Sequence, residues 1–528
     1  MKFLRVFCVI ALVAFFACSA YAETQNVKVS GDLAIRAFFR DNYGGNQSFN
    51  DSPDESRTLL GVTTLPSTRS GIDRSNSNWF MSTTELQIDA DLTDNVSTCI
   101  RLLNQRDWNA ATESMYNQAT QVSTIGSGGY GHGSAGFLGA GYQDDANEFA
   151  VDLELAYVTL KNFLYSPLTV TIGRQNLWFG KGFIVGANQR VRNAINYGAA
   201  ALPQPISAPE YSAQNAFDSV KAVLDFDPWT LTSIYSRIWQ NDIRSDDGLD
   251  LFGTNVGYKF DAYKGEAEGY WFYKRDKQVQ AFNWDDPAGS NDVNTIGLRG
   301  SFDPIDIVTL YAEFAGQFGS YVGNQMQANN RSRVAGALDV GGECRYFTDK
   351  WAWKPKLGFE YIWYSGQSPT DNVQSWGSGL YHGWDPMFRG KTDSLIREFI
   401  GRYYFSSQYP FTVTNYYNSA DNGFQNQHQI IFSGSLQPMD SIKLTGNLNM
   451  FWNQEAYDSR TMKSRGYVGT EIDVGATWDY TEDVSFNIVG GWFVPGDVYY
   501  LDNANNNGMA VFTPSAATDV VGSVKVSF

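Results

Sequence analysis

The stretch that decides the fold is Glu85-Leu86-Gln87-Ile88-Asp89-Ala90-Asp91-Leu92-Thr93-Asp94-Asn95-Val96-Ser97-Thr98-Cys99-Ile100-Arg101-Leu102. Leu86, Ile88, Ala90 and Leu92 alternate with Glu85, Gln87, Asp89 and Asp91. Thr93-Asp94-Asn95 is a tight turn by composition. Val96, Thr98, Ile100 and Leu102 then alternate with Ser97, Cys99, Arg101 and Leu103. A period of two gives each strand one apolar and one polar face, so the stretch is an antiparallel hairpin. Strands of about ten residues suit a tilted membrane crossing, whereas soluble sheets favour about five or six.

The pattern recurs on both sides. Val27, Val29, Leu33, Ile35, Ala37 and Phe39 alternate with Lys28, Ser30, Asp32, Arg36 and Arg40. Ile442 to Trp452 and Ile472 to Trp478 repeat it, and Val520, Gly522, Val524, Val526 and Phe528 alternate with Val521, Ser523, Lys525 and Ser527. Short turn-like segments at 93–95, 161–167, 227–228, 261–263, 303–306, 347–353, 437–440 and 481–483 alternate with long polar ones at 41–78, 107–149, 177–216, 240–250, 275–292, 319–331, 366–424, 454–465 and 495–518. Alternating short and long connections are the mark of an outer-membrane barrel with periplasmic turns and extracellular loops. The expected fold is therefore all-β: a transmembrane antiparallel up-and-down barrel of about 18 strands with both ends periplasmic. Leu395 to Phe405 reads as one more strand, but alone it breaks the up-down parity and is left in the loop.

The first residues read as an export signal. Lys2 and Arg5 precede an uncharged apolar run from Val6 to Ala17, and Ala20-Tyr21-Ala22 fits the small-x-small cleavage rule. The expected organisation is a leader over 1–22, cut after Ala22, and one barrel domain over 23–528 in the bacterial outer membrane. Composition agrees: aromatics are 15% and charged residues only 18%. A net charge of −17 argues against a nucleic-acid partner, which needs clustered Lys and Arg. Cys99 and Cys344 are the cysteines beyond the leader; they form one disulfide or remain two buried thiols, and their wide separation favours the second. His132, His382 and His428 lack metal-ligand spacing. CxxCH, GxSxG, HExxH and P-loop motifs are absent, so neither a cofactor nor an enzyme is expected.

Several segments resemble the alginate-export porin family. They are Thr171-Ile172-Gly173-Arg174-Gln175 followed by Gly180 to Gly186, Phe217-Asp218-Ser219-Val220, and Glu313 with Gln317-Phe318-Gly319. Pro355-Lys356-Leu357-Gly358 running to Ser365-Gly366, Gly469 to Asp473 and Phe493-Val494-Pro495-Gly496-Asp497 continue the series in order. The terminal strand ending in Phe528 resembles the insertion signal read by the barrel-assembly machinery. The resemblance implies an outer-membrane pore and a strongly basic constriction.

On strand parity, the lumen instead mixes signs. Basic pore-lining candidates are Arg36, Arg101, Arg174, Arg237, Arg299, Arg345, Lys356 and Lys443. Acidic ones are Glu85, Asp152, Glu154, Asp225, Glu268, Glu313, Asp339, Glu343, Glu360, Glu471 and Asp473. Arg174 needs a bulge at Gly173 to turn inward, since simple alternation groups it with Ile172. The carboxylate pairs Glu266/Glu268 and Glu471/Asp473 read as pore wall rather than as a glycosidase pair, because same-face neighbours in any strand meet that spacing. Aromatic pairs near strand ends (Trp79-Phe80, Trp229, Tyr235 with Trp239, Trp271 with Tyr273, Trp363-Tyr364 and Trp492-Phe493) read as an interfacial girdle. Loop 366–424 is long and aromatic, and is expected to fold inward and constrict the channel.

The expected function is a porin for passive diffusion of small hydrophilic or anionic solutes or oligosaccharides. The expected surroundings are outer-membrane lipid and lipopolysaccharide. The rival readings are a barrel sheath around an electron-carrying cytochrome and, more remotely, an outer-membrane hydrolase.

Overall fold

The computed structural model describes residues 26–41, 58–59, 62–63, 76–108, 151–188, 208–240, 248–277, 290–322, 330–346, 348, 350–367, 380–399, 424–455, 466–496 and 516–528. The expected leader and most of the expected loops 41–78 and 107–149 lie outside the described residues.

Nineteen strands join one sheet. One is the two-residue piece Leu380–Tyr381, which lies parallel to Ser332 and Arg333. The others make the barrel: β1 (Asn26–Asp41), β2 (Asn76–Thr93), β3 (Val96–Asp107), β4 (Asp152–Leu160), β5 (Leu168–Gln175), β6 (Phe217–Asp225), β7 (Trp229–Trp239), β8 (Leu249–Phe260) and β9 (Gly265–Asp276). They continue as β10 (Asn291–Ile305), β11 (Val308–Val322), β12 (Asn330–Cys344), β13 (Lys356–Tyr364), β14 (Gln427–Met439), β15 (Ile442–Asn453), β16 (Tyr467–Asp479), β17 (Val484–Pro495) and β18 (Ala517–Ser527). Each pairs antiparallel with its chain neighbours, and β1 closes the ring on β18 from Asp32↔Ser527 to Asp41↔Thr518. Closure leaves no unpaired edge, the condition for strands to cross lipid.

The expected hairpin is there, with Leu86 opposite Leu102 and Gln87 opposite Arg101. Short connections alternate with long ones around the ring, as the turn chemistry implied. In the described part of Leu395 to Phe405 the chain makes one helical turn, Arg397–Phe399, and no strand.

Alternation sorts the side chains by face. Val29, Phe39, Ile172, Leu298, Phe314, Phe359 and Ile488 point outward and are exposed on the lipid side. Aromatic clusters mark both ends of this apolar band. Trp478, Tyr480 and Phe486 pack together by the periplasmic turn, and Tyr235, Phe252 and Tyr273 form a row on the extracellular side. Neighbours along a strand cannot share a face, so three of the expected girdle pairs split. Phe80 and Trp492 face out, whereas Phe493 and Tyr364 are buried inside and Trp79 stacks on buried Phe38. Cys99 and Cys344 are free thiols.

Candidate functional site

The upper lumen is not empty. Two long loops fold into it and meet. In the loop between β5 and β6, Gly180 and Gly182 have φ of +52° and +75°, a backbone region that suits glycine. They let residues 177–185 double back, so that Phe179 N–H donates to the Val185 carbonyl. Leu177, Phe183, Ile184 and Val185 are thereby buried against Phe217, Ile234, Leu251 and Phe272 of the wall. The loop between β13 and β14 supplies Trp384, Met387 and Phe388 to the same apolar cluster. The two loops pair side by side at Val185 and Phe388, with Gly186 N–H donating to the Phe388 carbonyl at 2.8 Å and Gly390 N–H to the Gly182 carbonyl at 2.9 Å. The expectation that loop 366–424 turns inward therefore holds for residues 380–399. That the loop after β5 joins it was not foreseen.

Charge ties the plug to the wall on both sides of this apolar layer, through Asp385 toward the extracellular end and through Lys391 and Glu471 beneath. The Lys274 ammonium meets both oxygens of Asp385 at 2.5 Å, and the Arg333 guanidinium lies 3.9 Å from the same carboxylate. Asp385 and Gln317 also exchange a reciprocal pair of hydrogen bonds. Lys391 is held by Asp339 at 2.9 Å, by Glu360 and by Asp393 at 3.4 Å. Burial works against the ammonium, but these three carboxylates overcome it and hold Lys391 well above the usual lysine pKa. Arg389 donates to Asp393 at 2.7 Å and to the Tyr364 hydroxyl, and its plane stacks over Phe424. Glu471 on β16 accepts the backbone N–H groups of Leu395, Ile396 and Arg397 at 2.7–2.8 Å. Three convergent amides form a cradle of fixed partial charge for one carboxylate.

The opposite wall is covered by the far end of the first loop. Glu210 pairs with Arg40, which also holds Asp519 at 3.1 Å. Tyr211 packs edge-on to Phe38. Gln105 bonds Ser212 and the Ala213 amide. Glu154 accepts the amides of Asn215 and Ala216 at 2.9 and 3.1 Å. The pairing of β3 with β4 slips between Arg101 and Leu102, a bulge that brings Leu155 next to Glu154 on the inner side.

Most of the sequence-derived candidates line the interior. Arg36 donates to Thr83 at 2.9 Å. Arg101 bonds Gln87 and lies 3.7 Å from Glu85. Arg299 is clamped by Glu266 at 2.5 Å and by Glu268. Arg345 bonds Asp303, Glu343 lies between Arg345 and Lys356, and Lys443 sits opposite Thr477. Glu313 receives the Tyr270 hydroxyl at 2.7 Å. Glu360, Glu471 and Asp473 carry the plug contacts or lie beside them. Two candidates are corrected. Arg174 keeps the outward backbone parity of Ile172, because β5 and β6 pair through Gly173 without a slip; at the strand end its guanidinium lies 3.5 Å from exposed Asp218 and 4.0 Å from buried Glu154. Arg237 shares the outward face of Tyr235 and pairs there with Asp250, which also takes Arg275. Both arginines stand at extracellular strand ends, where the outer face has left the hydrocarbon and tolerates charge. Sequence reasoning missed Lys181, Asp385, Arg389 and Lys391, since loop residues carry no period that assigns them a face. Arg333 and Lys274 were readable by parity but were not singled out.

Between the plug and the wall a cavity of about 350 Å³ remains, lined by Glu360, Asp393, Ser394, Ser433, Asn447 and Asp473 among others.

A family model described as alginate export matches residues 71–511. This chain belongs to the alginate-export family. Among solved structures, Acinetobacter baumannii OccAB1 is similar at TM-score 0.49 and 10% identity, over 97% of this chain and 99% of that one. Pseudomonas aeruginosa OccK11 (OpdR) gives 0.46 and 9%, over 95% and 96%. OmpT, an outer membrane protein of Vibrio cholerae, gives 0.36 and 10%, over 96% and 100%. A search of curated proteins found no match. This alginate-export barrel is an outer-membrane protein, with an aromatic-edged apolar exterior suited to lipid and lipopolysaccharide.

Proposed function

We propose that this alginate-export-family barrel is a porin that passes small hydrophilic solutes by diffusion, with the internal plug setting the bore. The observation that carries this reading is the closed barrel with a polar interior narrowed by its own loops. Such a lumen selects by size and by the field of its lining charges, and no covalent step or cofactor is invoked.

The charge balance bears on which solutes pass. The cations between plug and wall described above are matched by carboxylates: wall Lys274 by Asp385 of the plug, Arg389 by Asp393, and Lys391 by Asp339, Glu360 and Asp393. Paired charges hold the plug in place more than they attract a polyanion. The reading is therefore a pore for small solutes rather than a track for a polyuronate chain.

The plug also argues against the sheath reading, since loops packed across the lumen occupy the path a cytochrome would take. Reconstitution in planar bilayers tests the proposal. Stepwise single-channel currents are expected, and folded barrels that insert but never conduct would refute it.

A further inference from the structure

The cavity beneath the plug has a one-sided chemistry. Its lining brings together three carboxylates, Glu360, Asp393 and Asp473, with the hydroxyls of Thr392, Ser394 and Ser433 and the amide of Asn447. Glu360 and Asp393 share Lys391 on one flank, and Asp393 also meets Arg389. Asp473, on the other flank, has no cation in reach among the described residues. It is 6% exposed. Its Oδ2 accepts a hydrogen bond from Asn449 at 3.3 Å; the Glu471 carboxyl and the Leu395 amide lie beside the group, but no well-aligned donor among the described residues reaches its Oδ1. That oxygen sits over Gly491, where an added Cβ would lie 2.8 Å away. A buried carboxylate oxygen left unsatisfied is costly, and a donor entering the cavity would satisfy it.

The wall behind Asp473 supports the same sign. The inward residues of β14 are Gln427, Gln429, Ile431, Ser433 and Ser435, and those of β17 are Phe493, Gly491, Val489, Asn487 and Ser485. On β15 they are Phe451, Asn449, Asn447, Thr445 and Lys443. Lys443 is the sole cation in this set, four residues below Asn447 and so about 13 Å lower at the rise of a strand. Arg397 stands on the other side: it packs over the Phe451 ring, four residues above Asn447 and about as far again. The cavity thus lies between these two cations with carboxylates as its nearest charges.

We infer that the cavity is a subsite for the ammonium or guanidinium group of a permeating solute, with Asp473 as the anchoring carboxylate and Ser433, Asn447 and Asp393 as further acceptors. A cationic group brings several N–H donors into a space that offers mainly oxygen acceptors. This inference rests on the porin reading and gives it a substrate class: small amines rather than carboxylates.

The test uses the full barrel in planar bilayers under KCl, with putrescine dichloride as the probe and sodium glutarate as its counterpart of opposite charge. Putrescine should interrupt the single-channel current at concentrations where glutarate does not. Asp473→Asn should weaken that block by about tenfold, the effect of losing one close charge partner. Asn447→Asp, which removes no ion pair, should strengthen it. If Asp473→Asn does not insert, Asn447→Asp decides alone, and an unchanged or weaker block overturns the inference. Stronger interruption by glutarate, or equal putrescine block in Asp473→Asn and the parent, also overturns it. A barrel that conducts without these effects loses only the subsite, whereas one that never conducts loses the porin reading itself.

Discussion

Gly186 and Gly390 touch backbone to backbone: a Cβ on Gly186 would lie 2.9 Å from the Gly390 Cα, and one on Gly390 2.7 Å from the Gly186 Cα. This contact is where the two inward loops cross, so it is the point at which the plug can be opened without disturbing the wall. Gly390→Val should separate the loops at a cost of about 1–3 kcal/mol of local packing. The expected outcome is a larger and noisier single-channel conductance with barrel heat-stability on gels unchanged. Conductance identical to the parent would show that the crossing does not set the bore.

Lys391→Met removes the cation shared by Asp339, Glu360 and Asp393. Breaking one side of a buried ion-pair network costs about 3–5 kcal/mol because the remaining charges stay buried. The loop after β13 should become cleavable by added protease in intact barrels. The surrounding strands, held by their own ladder, should remain protected. Equal protection of that loop in parent and variant would contradict the pinning role.

The plug should also respond to pH through Glu398. Burial, with Asp393 nearby, pushes its carboxyl up to about 7, while Arg389 and the amides of Asp393 and Ser394 pull the other way. A carboxyl with a higher pKa in the packed loop than in a released one binds its proton more tightly when packed. Its contribution to packing is therefore complete below the free value of 4.5 and is lost as the pH rises through about 7. Lys181, lowered by burial to about 8, acts at higher pH. Raising the pH from about 5 to about 7 should increase open-state current noise. Glu398→Gln should flatten that dependence, and a variant that keeps the parent's pH profile would exclude Glu398 as its source.

The parity of two arginines separates inner from outer roles. Arg299 lies inside between Glu266 and Glu268, while Arg237 lies outside on Asp250. Arg299→Gln should move the reversal potential under a KCl gradient toward cation preference. Arg237→Gln should leave it where it was. A shift with Arg237→Gln and none with Arg299→Gln would invert the assignment of faces.

The strand ladder was legible because each hairpin repeats one physical rule. Leu86, Ile88 and Ala90 had to share a face, and the tight turn at Asp94 and Asn95 fixed their partners. Faces were less secure where a register slips or a strand ends. Leu155 joins Glu154 on the inner side only because the register slips there, and Arg237 lies outside, on the face of Tyr235 two residues earlier, although the sequence reading places it in the lumen. The plug was the least legible part. The aromatic content of the loop after β13 suggested that it folds inward, but nothing periodic tells Lys391 that Asp339 and Glu360 await it. Those partners come from strands more than thirty residues away and meet it only once the ring exists.

The seam between β1 and β18 has a consequence for how the protein is made. Arg36 lies opposite Ser523, and Leu33 opposite Val526, so the pairs that complete the ring join segments almost a full chain apart. Contacts of such long range are slow to form and are rewarded late, since the intervening chain must first be ordered. Until then the growing sheet has two open borders, each a template for a stray strand. Assembly should therefore behave as all-or-nothing at this seam. A chain that cannot pair β1 with β18 is expected to aggregate or be degraded rather than persist as a smaller pore.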